Sequence, residues 1–257
     1  MGETANRTGE GAVGEGDRAG GRNGDNDSVE ARLAQVKAKR GFLLPHHGLL
    51  AVLSERLLET YDAAYTALAL EHKVLSVRDR ETVWLGVLIA TDEALATHHI
   101  PKYLSDGGDV GEFAAICRLA AAAIGAHAYE FVADHWLPHL PGFDAERAYR
   151  GAIEAAFAPL APRIAWPTVC AIHAARADFR LLRWSLLAAY EAGVPEPELA
   201  EAVSIMMFPG SVPRFVEAAG VWLGLIREGR VRPSPAFAAW ARVEGQGGYD
   251  EASQARG

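Results

Sequence analysis

The chain has 257 residues, of which 50% are hydrophobic, and a formal net charge of -8 at pH 7. A nucleic-acid-binding protein needs a basic surface to bind phosphates, so this charge argues against nucleic acid as a partner. The length allows one large domain or two small ones, with enough apolar residues for a sizeable core.

The N-terminal segment is polar and Gly-rich and lacks the basic and then apolar pattern of a signal peptide. Residues 1–30 contain many glycines and acids and no aromatic residue, so they bury too little apolar surface to offset the entropy lost on ordering. We predict a disordered tail over 1–30 and a second, flexible tail over 244–257. The single domain expected between them spans 31–243.

Helical periodicity dominates this expected domain. Ser28 is predicted to cap a first helix that stops at Gly41. Further segments with apolar residues at helical spacing cover 47–69, 78–90, 110–136 and 144–160. No run of residues alternates between apolar and polar as a half-buried strand does, so the predicted fold class is all-α.

The most apolar stretch, residues 113–133, is interrupted by ionisable side chains and does not predict a membrane-spanning helix. Cys117 and Cys170 lie far apart, each within an Ala-rich helical pattern. This spacing favours two buried thiols in a reducing compartment over a disulfide. We therefore expect a soluble cytoplasmic protein without a membrane partner.

The chain also aligns with itself when it is shifted by 86 positions. The shift places Thr82 on Thr168, Asp92 on Asp178, Gly107 on Gly193 and Glu112 on Glu198. In both segments a helix carries the acid, continues for two to three turns and stops at the glycine, and a short turn, a second acid and another helix follow. We interpret this pattern as a tandem repeat, with a first copy over about 75–135 and a second over about 160–225.

Three stretches of the two copies resemble one known family. They are "LSVRDRETVWLGVLIA" (75–90), "THHIPKYLSDGGDVGEF" (97–113) and "LLAAYEAGVPEPELAEAVSIMMFPGSVPRFVEAAG" (186–220). Their pattern is similar to that of the carboxymuconolactone decarboxylase and alkylhydroperoxidase D-like family, whose unit is a helical hairpin. The resemblance implies an all-α fold of tandem alkylhydroperoxidase D-like helical repeats, assembly into a homo-oligomer and catalysis without a cofactor.

The peroxidase members of that family carry a Cys-x-x-Cys pair before a histidine. If His99 is aligned with this histidine, Asp92 and Leu95 occupy the cysteine positions. Peroxide reduction by thiols needs a thiolate and a resolving thiol, and neither Asp nor Leu supplies one. The sequence therefore excludes a thiol peroxidase and is similar to the decarboxylase branch, which has no redox pair.

The adjacent histidines His98 and His99 are the main candidates for chemistry. In a regular helix their side chains point about 100° apart, so both face one ligand only if the helix is distorted. Pro101 either kinks such a helix or lies in the first turn of a new one, with the histidines in a connecting loop. Both alternatives are compatible with the sequence.

The candidate catalytic residues are those whose side chains can donate or accept a proton. Imidazole exchanges protons near neutral pH, so His99 is the first choice as proton donor and His98 the second. The resemblance implies that Glu81, at the start of the preceding helix, orients the imidazole or shares its proton. Glu93 is a further assisting acid. For each carboxylate the alternative is a solvated or helix-capping side chain.

The candidate substrate-binding residues are Asp92, which we expect on the same helical face as His99, and the cations Lys102 and Arg183. A substrate carboxylate needs a cation, and Arg176 and Arg180 are weaker candidates. Charged residues on amphipathic helices most often only face solvent.

The second copy lacks most of this chemistry. The shift places Pro167, Trp184 and Ser185 at the positions of Glu81, His98 and His99. We expect one site per chain, in the first copy, within a pocket between the copies. His173 is expected to be a hydrogen-bonded core residue.

No histidine spacing predicts a metal site. His135 and His139 have i,i+4 spacing but are separated by a helix end at Pro138, and His46 and His47 lie in an apparent loop. A metal needs three or four ligands with ordered supporting partners, so we predict neither a metal nor another cofactor.

The leading hypothesis is a cofactor-free lyase, similar to carboxymuconolactone decarboxylase, that acts on a small carboxylated or enolisable organic acid by histidine-mediated proton transfer. An isomerase or hydratase of biosynthetic type on the same residues is the nearest alternative. A hypothesis of a different class is a non-catalytic helical protein that binds a small molecule or a partner.

Overall fold

The computed structural model describes residues 20–254, with side chains from residue 28 onward. Every regular element in this range is helical and no strand occurs in it, which confirms the all-α class. The chain divides into two compact units with the boundary between Leu70 and Glu71. The single domain predicted over 31–243 is thus two units in the structure.

The first unit consists of α1 (Gly20–Arg40), α2 (Pro45–Leu53), α3 (Glu55–Tyr65) and a π-helical turn (Thr66–Leu70). Val36, Ala51 and Leu58 form its buried cluster, against which partly buried apolar side chains of α1 and α2 pack. These helices bury a core of their own, a long-range property that the sequence pattern did not reveal.

Helix α1 ends as predicted, because Gly41 adopts a φ of 83° that stops helical hydrogen bonding. Its start differs from the prediction: Ser28 is inside the helix rather than at its N-cap, and the helix covers the last eleven residues, 20–30, of the segment predicted to be disordered. Adding residues to an existing helix costs less than nucleating one, so α1 can extend through polar residues. Residues 1–19 of that segment lie outside the described residues.

The second unit contains the other eleven α-helices and one 3-10 turn. They are α4 (Val77–Ala90), α5 (His99–Ser105), α6 (Val110–Ile124), α7 (His127–His135), the 3-10 turn (Leu137–His139), α8 (Ala145–Ala155), α9 (Pro162–Arg176), α10 (Phe179–Glu191), α11 (Glu196–Ile205), α12 (Val212–Arg227), α13 (Pro235–Arg242) and α14 (Gly248–Gln254). Helix α14 lies in the tail predicted to be flexible, where Gln246 also donates hydrogen bonds to the carbonyls of Trp240 and Val243 at 3.0 and 2.6 Å. Residues 255–257 lie outside the described residues.

Helices α4 and α9 form the centre of the second unit. Residues 80–88 of α4 and 164–175 of α9 are all buried, and α9 also packs against α6, α10, α11 and α12. A helix that is buried on every side must carry apolar or hydrogen-bonded residues all round, and both helices do.

Side chains next to the helix starts cap α4 and α6. The hydroxyl of Ser76 accepts a hydrogen bond from the backbone N of Asp79 at 3.0 Å and starts α4. The carboxylate of Asp109 accepts from Gly111 and Glu112 at 2.6 and 3.0 Å and starts α6. These caps hold the ends of the helices on either side of the predicted histidine site.

Residues 110–135 are the one candidate membrane span, by length and composition, in the described part of the chain. The mean hydropathy of their most apolar window is 1.3, and a third of that window is buried. Core helices pass the same test, so this observation is weak evidence for a membrane span. The structure divides the segment into α6 and α7 at Gly125–Ala126.

The close approach of α4 and α9 leads to a stability prediction at Gly86. A Cβ atom at this position would lie 2.5 Å from Cγ2 of Thr168. We expect Gly86→Ala to lower the free energy of unfolding by about 1–3 kcal/mol, because overpacking forces neighbours from their places. Urea denaturation measures the change.

Gly151 provides the matched control, because a Cβ there meets nothing within 4 Å and the residue lies within α8. Gly151→Ala should stabilise by about 0.4–1 kcal/mol through the lower entropy of the unfolded chain. Equal effects of the two substitutions would contradict the packing of α4 against α9.

Candidate active site

The structure brings Glu81 and His99 together, although 18 residues separate them. Nδ1 of His99 lies 2.5 Å from Oε2 of Glu81, and both side chains are buried, with exposures of 1% and 0%. A carboxylate only accepts hydrogen bonds, so Nδ1 carries the hydrogen and donates it. This bond orients the ring and leaves Nε2 as the nitrogen for proton exchange.

Trp84 supports the imidazole from one side. Its ring stacks on that of His99, with centroids 4.5 Å apart and planes 24° from parallel. Trp84 lies three residues after Glu81, so both side chains project from one face of α4 toward the imidazole. The arrangement holds the ring on two sides.

Two buried polar atoms beside this pair have no hydrogen-bond partner in the described part of the chain. They are Oε1 of Glu81 and Nε1 of Trp84. Buried polar groups are nearly always paired, and an unpaired one needs a reason such as a bound water or a catalytic role. Glu81 and Trp84 therefore each have unused hydrogen-bonding capacity beside the imidazole.

Helix α5 places His99 at its first residue. Pro101 lies in the first turn, where its missing N–H removes no intrahelical bond. Of the two sequence alternatives, the structure therefore has Pro101 in a new helix. A continuous helix from Asp92 to His99 does not occur, because α4 ends at Ala90 and residues 91–98 form turns and irregular backbone before α5.

The far end of α5 is anchored by Tyr103. Its side chain is fully buried and its hydroxyl donates to Oε2 of Glu112 at 3.1 Å. Burial, followed by the hydrogen bond to Glu112, raises the pKa of Tyr103 to about 12. Glu112 in turn pairs with Arg78 of α4, so α4, α5 and α6 are held together around His99.

The remaining predicted catalytic residues take other positions. His98 is half-buried, with its ring centroid 4.3 Å from that of His99. Glu93 is exposed, and its Oε1 accepts a hydrogen bond from the backbone N of Leu95 at 2.7 Å. Its carboxylate thus caps this turn, the alternative role that the sequence left open for each acid.

The expectation that Asp92 shares a helical face with His99 is wrong. Helix α4 ends at Ala90, and Asp92 lies in the turn that follows, exposed and with a left-handed φ of 56°. Asp tolerates this conformation better than most residues because its short side chain can bond locally.

Three of the four candidate carboxylate-binding cations lie in ion pairs. Arg183 pairs with Glu228, Arg180 with Asp134 and Arg176 with Asp178. Lys102 is half-buried on α5 and has interactions of its own. Arg183 was predicted to bind substrate, but its partner is 45 residues away in sequence and only the packing of α10 against α12 brings the two together.

A groove with a volume of about 410 Å³ lies along the end of α4, the following turn and α5. Its lining residues are Leu85, Leu88, Ile89, Asp92, Glu93, Ala94, Ala96, Thr97, Ile100 and Phe113. Clefts of this size bind small molecules in other proteins. All ten residues lie between 85 and 113, within the segment predicted as the first copy, so this groove does not lie between the two predicted copies.

A second buried polar network lies among α8, α9 and α10. The hydroxyl of Tyr149 lies 2.8 Å from Nε2 of His173 and 2.5 Å from Oγ of Ser185. Nδ1 of His173 lies 3.4 Å from Asp178, whose other oxygen is 3.1 Å from Nε2 of His127. His173 is confirmed as a hydrogen-bonded core residue. Tyr149 was missed, because a lone aromatic in a helix gives no signal for such a contact.

The other histidines and the cysteines do not form a second reactive cluster. No group of three or more His, Cys, Asp or Glu side chains that could hold a metal ion occurs among the described residues. Burial, then the charges of His46 and Arg40, lower the pKa of His47 to about 4, against an opposing effect of Asp62. Both cysteines are free as predicted, but Cys117 is only half-buried.

Neither a scan against protein-family models nor searches of curated proteins and of solved structures found a match to this chain.

Proposed function

We propose that this chain is a cofactor-free acid–base enzyme that moves a proton at the carbon beside a carbonyl group of a small enolisable substrate. The observation that carries the proposal is the buried Glu81–His99 pair, whose hydrogen bond is 2.5 Å long. A buried carboxylate bonded to an imidazole is a recurrent arrangement for general acid–base catalysis. A decarboxylase-like lyase is one member of this class, and isomerases and hydratases share its central step.

In the proposed mechanism His99 exchanges the proton through Nε2. When Nε2 removes a proton from the substrate carbon, the electron pair of the C–H bond moves toward the carbonyl and forms an enolate. The positive charge on the imidazole is then stabilised by the Glu81 carboxylate at Nδ1. Return of the proton to a different carbon completes an isomerisation. If CO₂ leaves instead of a proton, the cycle starts with Nε2 protonated: the electron pair of the broken C–C bond forms the enolate, Nε2 delivers its proton to the carbon that lost CO₂, and solvent water reprotonates Nε2.

The groove supports this proposal by its position along the chain. Thr97 and Ile100, which line it, lie on either side of His98 and His99. Leu85 and Leu88 line it from α4, one and two turns after Glu81. A substrate seated in the groove is thus next to the two elements that carry the acid–base pair.

We also propose that the second unit is a tandem repeat of the kind found in the resembled family. Shifting α4 by 86 positions gives 163–176, and α9 spans 162–176. Gly107 and Gly193, 86 residues apart, both have positive φ, at 89° and 71°. Glu112 and Glu198, at the same offset, each pair with an arginine near the start of the preceding central helix.

Substitution of His99, compared with substitution of a histidine outside the site, tests the catalytic proposal. We expect His99→Gln to lower the rate of proton exchange by about 100-fold or more, because glutamine can still donate to Glu81 but cannot transfer a proton. Lactones, β-keto acids and enolisable ketones are incubated with the protein in D₂O. Deuterium incorporation beside the carbonyl is followed by NMR.

His139→Gln is the matched control, since His139 is an exposed histidine of the 3-10 turn and lies outside both the Glu–His pair and the groove. Its exchange rate should stay within about threefold of the wild type, well below the effect of losing a proton donor. An unchanged rate in His99→Gln, or an equal loss in both variants, would remove His99 as the proton donor.

The alternative, a protein that binds a small molecule without turnover, is favoured by one observation: only 1% of the His99 side chain is exposed. Binding of a groove ligand without deuterium exchange in any substrate class would support this alternative.

A further inference from the structure

The groove beside the Glu–His pair has an unusual balance of charge. Seven of its ten lining side chains are apolar, one is the hydroxyl-bearing Thr97, and the other two are the carboxylates of Asp92 and Glu93. None of the described residues that line it is basic. A ligand in the groove therefore meets an apolar surface and two negative charges.

The nearby end of α4 adds to the negative potential. The groove lies at the C-terminal end of α4, where the helix dipole is negative. Arg176 lies at this end, where it donates to the carbonyl of Ala90 at 3.2 Å. Its charge is already paired with Asp178 at 3.1 Å.

The two acids are also fixed in place. Glu93 is held by the backbone N of Leu95 at 2.7 Å, and Asp92 is held in the left-handed region. Both are exposed, so they remain hydrated and their effect on a ligand is electrostatic rather than a direct steric block.

We propose that this groove takes an apolar ligand without a carboxylate, and that a positively charged amine binds better than its neutral analogue. As a statement about substrates, this inference rests on the proposed function. It narrows that function, because a substrate carboxylate in the groove would meet two like charges and no basic lining residue. Proton transfer on neutral or amine-bearing carbonyl compounds then fits the site better than decarboxylation.

A matched series of three small molecules tests the proposal. Phenylpropylamine, hydrocinnamamide and hydrocinnamate share an apolar body and differ in charge. We expect the dissociation constant of hydrocinnamate to be at least about tenfold higher than that of phenylpropylamine, with the amide between them, as two surface charges of this kind allow. Titration of the full-length protein by NMR at low salt gives the three constants.

Variants locate the effect in the groove. Asp92→Asn with Glu93→Gln should bring the amine and the carboxylate within about threefold of each other, because both charges are removed. Asparagine tolerates the left-handed conformation of position 92, so the turn is kept. Glu154→Gln removes an exposed acid of α8, outside the groove, and should leave the tenfold preference unchanged.

Ala94→Trp fills the groove from an exposed position and should weaken all three ligands. Equal or tighter binding of the carboxylate in the wild type would overturn the proposal. So would a charge preference that survives removal of both acids, or ligand binding that Ala94→Trp leaves unchanged.

The same measurements separate this inference from the proposed function. Ligand preference is measured without turnover, so it should persist in His99→Gln. If the preference holds but His99→Gln does not slow deuterium exchange, the catalytic proposal fails and the groove assignment stands. If His99→Gln slows exchange but carboxylates bind best, only the inference about the ligand fails.

Discussion

Replacing Glu81 by alanine should lower the free energy of unfolding by about 3–5 kcal/mol, the usual cost of breaking a buried ion pair or its hydrogen-bonded equivalent. Glu81 is fully buried and holds the equally buried imidazole of His99 at 2.5 Å. Its removal leaves Nδ1 of His99 without a partner in the interior. Urea denaturation, monitored by the fluorescence of the tryptophans, measures the loss.

Two further variants show whether the cost comes from the unpaired imidazole. Glu81→Gln keeps an oxygen that accepts from Nδ1 and should cost less than Glu81→Ala. Combining Glu81→Leu with His99→Phe removes both polar groups, and we expect it to recover most of the stability, since apolar replacements of buried pairs are often neutral or better. A double variant no more stable than Glu81→Ala would show that packing, rather than pairing, is decisive at this position.

The stability of the double variant also tests whether the Glu81–His99 pair has a functional role. A buried polar pair that an apolar pair can replace without loss is not required by the fold. If the double variant is stable but does not exchange protons, stability and activity are separated at the same two residues. This result would support an acid–base role for the pair.

Replacing Asp178 by alanine should also cost about 3–5 kcal/mol, for a related reason. The Asp178 carboxylate is only 6% exposed and contacts three partners: His173 at 3.4 Å, Arg176 at 3.1 Å and His127 at 3.1 Å. Burial acts to raise the pKa of Asp178, but the hydrogen bond and charge of His173, then the charges of His127 and Arg176, hold it below its ordinary value.

This depressed pKa makes stability depend on pH with a definite sign. Between the unfolded and folded pKa values, the unfolded chain binds a proton that the folded chain does not. The free energy of unfolding therefore decreases as the pH is lowered through this range. The contribution of Asp178 is complete above an unfolded pKa of about 3.9 and is lost below it. Asp178→Asn should therefore lose less stability than the wild type when the pH is lowered from about 5 to 3.

His173 contributes with the same sign at higher pH. Burial lowers its pKa against the opposing effects of Asp178 and Glu130, while the charge of His127 lowers it further. Below about pH 6.5 the unfolded imidazole gains a proton and the buried one does not, so acid again favours unfolding.

Parallel pH curves for the wild type and Asp178→Asn below pH 4 would contradict the assignment of the acid loss to Asp178.

Local features of the chain were predictable because they depend on a few neighbouring residues. The all-α class followed from helical periodicity, and the end of α1 followed from Gly41, which has the positive φ that a helix stop requires. The contact of Glu81 with His99 is compatible with the resemblance of two helix segments to one family. Helical spacing alone does not indicate it.

The sequence by itself determined the all-α class, which residues cannot be redox thiols, and that His173 belongs to the core. Only the tertiary structure decided that Pro101 lies in the first turn of a helix, that Arg183 pairs with Glu228, and that an acidic groove lies along α4 and α5. Periodicity and caps act over a few residues, whereas ion pairs and grooves depend on how helices far apart in sequence pack. That packing brings together groups whose distance along the chain carries no information about contact.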